Sequence, residues 1–161
     1  MSTTAQDTQS DGRTVLDKAA QLIRPMYGFL DFLAPISDLL IRLWVANVFF
    51  KSGLTKIESW DSTILLFTHE YHVPLLSPTM AAYMGTFVEL TFPVLLALGL
   101  AGRFAAGFLF VFNIMAVISY PTLNAAGIQN HQLWGVMLLV TLLHGPGKLS
   151  VDYLISRYVN R

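Results

Sequence analysis

Glu89 is the residue of this sequence whose chemistry most needs an explanation. It lies in the middle of residues 79–100, an apolar run with no other charged side chain that is long enough to cross a bilayer. A carboxylate at that depth costs several kcal/mol unless it is protonated or paired, so such residues face a bundle interior and mark functional sites. The sequence therefore predicts Glu89 as a catalytic, proton-handling group.

A lysine in the preceding apolar segment offers a partner for this carboxylate. Lys51 lies ~5 Å from the middle of residues 36–57 at a rise of ~1.5 Å per residue, and Asn47 falls on the same helical face. We predict a Lys51–Glu89 ion pair and assign a catalytic role to both residues. The alternative is a clamp that holds two helices together without chemistry.

A second set of polar residues has side chains suited to holding a polar cofactor. Asn113 and Tyr120 share one helical face, and His131 and Trp134 share another. An imidazole near the headgroup region can relay protons, whereas a lone Asn often only bonds a neighbouring helix. The predicted cofactor-binding residues are Asn47, Lys56, Asn113, Tyr120, His131 and Trp134.

No metal site is predicted from the motifs. His69 and His72 have the i, i+3 spacing that lets two imidazoles share a metal, and they are the candidates if one binds. The pattern recurs by chance, and the chain has no cysteine, which also excludes disulfides and iron–sulfur clusters. A P-loop and a G-x-G-x-x-G motif are both missing, so no tightly bound cofactor is predicted.

The elements that must position these residues are membrane helices. Only 12% of the 161 residues are charged and 54% are hydrophobic, whereas soluble domains carry about 25% charged residues. The net charge is zero and there is no basic patch, so a nucleic-acid partner is not expected. The pattern predicts an all-α, integral membrane bundle of four antiparallel transmembrane helices, at about residues 36–57, 79–100, 103–120 and 128–145.

The segments around the spans have their own patterns. Residues 1–14 are polar and lack the apolar stretch of a signal peptide, which predicts a disordered tail. Residues 15–35 fit an interfacial amphipathic segment interrupted at Pro25, and residues 36–161 form the bundle domain. Within that domain, residues 62–72 fit a short interfacial helix, and the chain ends in an amphipathic tail. The distribution of Lys and Arg predicts a multi-pass protein of a bacterial inner membrane with both termini in the cytoplasm.

Four markers in a fixed order resemble the DoxX family of small four-helix membrane proteins. They are Arg42 opening the first span, Gly53-x-x-Lys56 closing it, Glu89 inside the second and Arg103 opening the third. The resemblance covers residues 38–155. Many members carry His before that Gly, where Ser52 stands here. Residues 56–76 and 118–134 resemble a bacterial subgroup found with enzymes that modify metal-binding peptides.

The resemblance implies a redox function in the membrane. Some relatives are linked to thiosulfate oxidation with electrons passed to quinone, and others to membrane oxidoreductase complexes. We therefore expect a subunit that exchanges electrons and protons with quinone on behalf of a partner redox or peptide-modification protein. Lys51 and Glu89 would serve the quinone oxygens, and Arg42, Lys56 and Arg103 would mainly fix helix ends.

Two other functions stay open. One is a non-catalytic membrane scaffold for a soluble modification enzyme, and the other is a small metal or solute transporter. A homo-oligomer is compatible with each of them, and the lipid bilayer is a partner in all.

Overall fold

The structure, a computed structural model, describes the backbone of residues 4–159 and the side chains of residue 21 and residues 24–159. No strand occurs in this part of the chain, which confirms the all-α prediction. Six helices follow one another within residues 4–159: α1 (Thr4–Glu58), α2 (Trp60–His69), α3 (Pro78–Leu98), α4 (Gly102–Ser119), α5 (Ala125–His144) and α6 (Val151–Val159).

Three of the described helical segments are long and apolar enough to cross a membrane. They are Arg24–Glu58 in α1, Pro78–Leu98 and Gly102–Ser119, and they overlap the first three predicted spans. The predicted fourth span coincides with α5, but α5 is not among the three. Its first turns carry the polar run 129–132, which lowers its hydropathy.

Two units are distinguished along the chain, residues 1–35 and residues 36–161. In the first unit, the side chains of Tyr27, Phe29 and Phe32 are exposed. The predicted interruption at Pro25 is wrong, since α1 continues through Pro25 and Pro35. The predicted tail, residues 1–14, lies outside the described side chains and in part outside the described backbone, and its disorder stays a prediction.

Helix boundaries in the second unit follow from short local signals. Ser77 caps α3 by accepting a hydrogen bond from the Met80 N–H, and Pro78 occupies the first turn, where no N–H is needed. At the other end Gly99 adopts the left-handed conformation with φ +65°, which ends α3 and turns the chain into α4. Asn124 caps α5 in the same way as Ser77 caps α3.

Small residues allow the helices of the second unit to pack closely. Ala82, Ala105 and Ala106 are fully buried, as is typical of membrane helix interfaces. Around them lies a core of larger side chains in which Phe49 contacts Phe112 and Trp134 edge-on. The larger members of this core are Val45, Phe49, Val88, Leu96, Leu109 and Leu138.

Two arginines tie helix ends together, as the sequence predicts for them. Arg42 is 1% exposed and donates hydrogen bonds to the carbonyls of Leu96, Ala97 and Leu149. These acceptors include carbonyls of the last turn of α3, where the N–H partners four residues further along a regular helix are missing. Arg103, in the first turn of α4, donates to the carbonyl of His144, the last residue of α5.

The Asp152 carboxylate closes the same end of the bundle. Its two oxygens accept from the backbone N–H groups of Ala101 and Gly102, each at 2.8 Å. These are unpartnered donors at the beginning of α4, so Asp152 serves as a cap from a distant part of the sequence. The beginning of α6 is thereby fixed to the turn between two candidate spans.

Candidate functional site

The centre of the candidate site is a buried ion pair between α1 and α3. Lys56 Nζ lies 2.6 Å from Glu89 Oε2, and the two side chains are 11% and 9% exposed. Ser52 joins them: its Oγ donates to Glu89 Oε1 at 3.2 Å and accepts from Lys56 Nζ at 2.9 Å. Both carboxylate oxygens therefore have a partner, and we call Ser52, Lys56 and Glu89 the polar triad.

The predicted ion pair between Lys51 and Glu89 is wrong. Lys51 is exposed, whereas Ser52, Gly53 and Lys56 are buried or half-buried. The buried face of α1 passes through residues 42, 45, 49, 53 and 56, which follow helical periodicity. Lys51 lies about 100° around the helix from Ser52, so it points away from α3. Lys56, and not Lys51, is therefore the cation that can act together with Glu89.

Gly53 allows the close approach on which the triad depends. A Cβ at this position would lie 2.8 Å from Leu90 Cδ2 and 3.1 Å from Glu89 Cβ, so a larger residue would force the Leu90 side chain or α3 to shift. The backbone of α1 thus packs directly on α3 beside Glu89. Lys56 is one turn further along, and its carbonyl accepts from Thr63 Oγ1 at 2.9 Å, which fixes the junction with α2.

The triad arrangement satisfies the conditions for a stable buried charge. Removing both charges from water is costly, and the pair stabilises the fold only when geometry is good and the remaining lone pairs are bonded. Here the 2.6 Å contact and the Ser52 hydroxyl supply both conditions. A charged group held dry by such contacts can also exchange a proton with a ligand that enters beside it.

An apolar cavity of about 630 Å³ opens beside the triad, lined mainly by α3 and α4. Lys56 and Glu89 line it as the charged groups of the α1–α3 interface, and Tyr71, after α2, adds a phenol. Apart from Arg103 and Ser119, the other lining residues are aliphatic, aromatic or Gly. Those from α4 include Phe104, Gly107, Phe108, Val111, Phe112 and Met115.

Tyr71 is a site residue that sequence reasoning missed. Burial, together with the smaller effects of the nearby Glu89, Tyr120 and Glu70, raises the pKa of Tyr71 to about 12. The phenol therefore keeps its proton at neutral pH and can donate a hydrogen bond. Its ring lies between those of Phe67 and Tyr120, at centroid distances of 4.8 and 4.9 Å.

Asn113, His131 and Trp134, which the sequence predicts as cofactor-binding residues, lie together. Asn113 Nδ2 donates to the His131 carbonyl at 2.9 Å, and Asn113 Oδ1 lies 2.7 Å from His131 Nδ1. The Trp134 ring meets the imidazole edge-on at 4.8 Å. The lining of the 630 Å³ cavity does not include them. Asn113 therefore ties α4 to α5 and holds the imidazole in one orientation.

The remaining predicted residues lie apart from this cluster. Asn47 is exposed, and the Tyr120 hydroxyl donates to Glu70 Oε2 at 3.0 Å. His69 and His72 are both exposed. Among the residues that the structure describes, no group of three His, Asp or Glu side chains is arranged to hold a metal ion.

Ser52 also escaped prediction as a site residue, although the sequence holds a signal for it. The i, i+4 spacing of Ser52 and Lys56 places both on one helical face, and the buried carboxylate needs two donors. Because Lys51 lies closer to mid-membrane depth, depth alone favoured the wrong lysine. The small Gly53 between Ser52 and Lys56 is the signal that this face, and not the Lys51 face, contacts another helix.

Comparisons with known proteins place this chain among small membrane proteins. The profile of the DoxX family matches residues 37–122. An uncharacterized protein of Haemophilus influenzae is 31% identical over 133 residues, which cover 76% of this chain and 85% of that relative. A Bacillus subtilis protein with the name "Putative oxidoreductase CatD" is 31% identical over 109 residues, 68% of this chain and 76% of that relative. No solved structure matches the chain.

Proposed function

Because this chain belongs to the DoxX family of membrane proteins, we propose that it is a membrane subunit that exchanges electrons and protons with quinone on behalf of a partner enzyme. The name of the Bacillus subtilis relative supports an oxidoreductase role. The partner would be a redox or peptide-modification protein that supplies the electrons.

The proposed topology has four spans, with α5 as the fourth. Its polar first turns would lie at the outer membrane boundary, where Asn113 bonds the His131 backbone and ring. Both termini would face the cytoplasm of a bacterium, because Arg42, Arg103 and Lys148 lie at one end of the bundle. An assembly of several copies is compatible with this arrangement.

The observation that carries the proposal is that two members of the polar triad, Lys56 and Glu89, line an apolar cavity. A quinone has a flat ring with two carbonyl acceptors and an apolar tail, so its site needs hydrogen-bond donors at one end and apolar walls beyond them. Lys56 and Tyr71 supply the donors here, and the α4 side chains supply the walls. The residues present therefore fit a quinone.

Each member of the triad has a distinct role in this proposal. A quinone takes up electrons and protons when it is reduced. Lys56 would donate a hydrogen bond to a ring oxygen, and the Glu89 carboxylate would take up and release the proton that is exchanged there. Ser52 positions both by bridging Glu89 Oε1 and Lys56 Nζ. Apolar walls exclude water, which strengthens these charge interactions.

The experiment is a measurement of quinone in lipid extracts of the purified protein. Wild type is expected to retain quinone, and Lys56→Met or Glu89→Gln to lose at least about tenfold in affinity, as expected for a hydrogen bond to a charged group. Lys51→Met is the matched control, because it removes an exposed lysine from the same helix. Wild type without quinone, and without quinone-dependent turnover alongside its partner, would overturn the proposal.

The same variants separate the other two functions. If the chain is a scaffold, Glu89→Gln lowers its stability but leaves the activity of the assembled system unchanged. If it is a transporter, flux of a metal or solute into proteoliposomes depends on Glu89, while no quinone is retained.

A further inference from the structure

The cavity beside the polar triad continues to the opposite end of α4, where Arg103 forms part of its lining. Arg103 and Ser119, at the two ends of α4, both line it. They are 16 residues apart in the sequence, or about 24 Å at the rise of an α-helix. The cavity is therefore a groove along most of α4, with Lys56 and Glu89 in its lining and a single guanidinium at the Arg103 end.

Arg103 differs from the other arginine at this end of the bundle. Arg42 is 1% exposed and bonds three carbonyls, so it is committed to the fold. Arg103 is exposed, and within the described residues the hydrogen bond recorded for its guanidinium is one of 3.3 Å to the His144 carbonyl. A guanidinium has five N–H donors, so Arg103 retains donors for a ligand.

The walls next to Arg103 are apolar and partly open to the surroundings. Phe104, Phe108 and Val111 line the groove and are 64%, 42% and 61% exposed. Phe108 is stacked on Phe92 of α3 at a centroid distance of 4.0 Å. In a membrane-spanning helix such side chains face lipid tails.

We propose that this end of the groove binds one anionic phospholipid, with its phosphate on Arg103 and an acyl chain along Phe104, Phe108 and Val111. Arginine binds phosphate through two parallel hydrogen bonds, which match the planar guanidinium. One leaflet contributes about 15 Å of the ~30 Å hydrocarbon core. The acyl chain would therefore cover about 60% of the ~24 Å groove and leave the part beyond it to another ligand.

This lipid site does not depend on the redox function. The phospholipid is selected by the positive charge of Arg103 and by the length of the apolar wall next to it. The proposed quinone is instead held by hydrogen-bond donors at Lys56 and Tyr71. Because the two occupants share one groove, a bound phospholipid also forms part of the wall against which the second ligand packs.

The test is native mass spectrometry of the full chain titrated with phosphatidylglycerol and, separately, phosphatidylcholine. Wild type is expected to prefer phosphatidylglycerol, and Arg103→Gln to weaken its binding about tenfold, the loss expected for a charge-assisted hydrogen bond. Lys148→Gln is the matched control, an exposed cation near the end of α5 that does not line the groove. It should change the affinity less than twofold by the same reasoning, since only distant charge is lost.

Val111→Trp tests the acyl-chain half of the proposal. It fills the groove from an exposed position without touching Arg103, and it should weaken phosphatidylglycerol binding as Arg103→Gln does. Equal binding by wild type and Arg103→Gln would overturn the lipid site. So would displacement of the lipid by inorganic phosphate, or full binding by Val111→Trp, since either would show a site for a free anion. Lys56→Met removes a proposed quinone donor but leaves Arg103 in place, so it should bind phosphatidylglycerol like wild type. The quinone proposal can therefore fail while the lipid site is confirmed, and the reverse.

Discussion

Lys56→Met tests the buried ion pair by removing its positive charge while keeping most of the side-chain volume. In the variant, Glu89 keeps one partner, the Ser52 hydroxyl at 3.2 Å. Removing one member of a buried pair destabilises a protein by about 3–5 kcal/mol, because the other charge stays buried without compensation. Both side chains are about nine-tenths buried, so this range applies without a reduction for solvent screening.

The loss of stability in Lys56→Met is limited because the Glu89 carboxylate can take up a proton instead of staying charged. For a group with a reference pKa of about 4.3, protonation costs about 4 kcal/mol at pH 7 and about 1 kcal/mol at pH 5. The free energy of unfolding of Lys56→Met should therefore fall by about 3–4 kcal/mol at pH 7. It should recover to within about 1 kcal/mol of wild type at pH 5.

The assay is reversible unfolding of the detergent-solubilised protein in denaturant at both pH values. Lys51→Met should lie within about 0.5 kcal/mol of wild type, as exposed substitutions do. The double variant Lys56→Met with Glu89→Gln should regain part of the stability, because no charge is left buried. If Lys51→Met were as unstable as Lys56→Met, or if the deficit were the same at pH 5 and pH 7, the reasoning would be refuted.

Three further outcomes are expected from single contacts. Gly53→Val should destabilise the protein by about 1–3 kcal/mol in the same assay, because its side chain would overlap Leu90; no change would mean that α1 and α3 are not in close contact. Asn113→Ala removes two hydrogen bonds to His131 and should cost about 1–3 kcal/mol, with a thermal scan as the check. Tyr71 has a folded-state pKa of about 12 against about 10 when unfolded, so its stabilisation is complete below pH 10 and is lost as the pH rises toward 12. The free energy of unfolding of Tyr71→Phe should therefore fall less than that of wild type between pH 10 and pH 12. A tyrosinate absorbance titration of wild type in which no tyrosine titrates near pH 12 would contradict this.

The sequence predicts the helices well because their signals are local. Ser77 and Pro78 mark the beginning of α3, and Gly99 marks its end, where a left-handed residue is needed. The third span begins at Gly102, within one residue of the predicted start. Long-range contacts such as Asp152 capping the N-terminus of α4 join residues about 50 positions apart, and no local pattern records them.

The candidate site is only partly predictable for the same reason. Glu89 stands out because a carboxylate in the middle of an apolar span is costly unless it is paired or functional. Its partner depends on how α1 is rotated against α3. Lys51 and Lys56 lie on different faces of α1, and both were compatible with the membrane depth of Glu89. The rotation is set by Gly53, whose missing side chain lets α1 approach. Tyr71 was missed because it lies outside any regular helix and enters the site through the fold of residues 70–77.

The most direct test of the proposed function is the position at which a photoreactive quinone analogue labels the purified protein. Mass spectrometry of the digested chain should find the label on residues that line the cavity, in α3 around Met84 or in α4 around Met115. Unlabelled quinone should compete for this labelling, and Lys56→Met should reduce it while Lys51→Met should not. Labelling only at residues that do not line the cavity, or labelling that excess quinone does not suppress, would contradict a quinone site beside the Lys56–Glu89 pair.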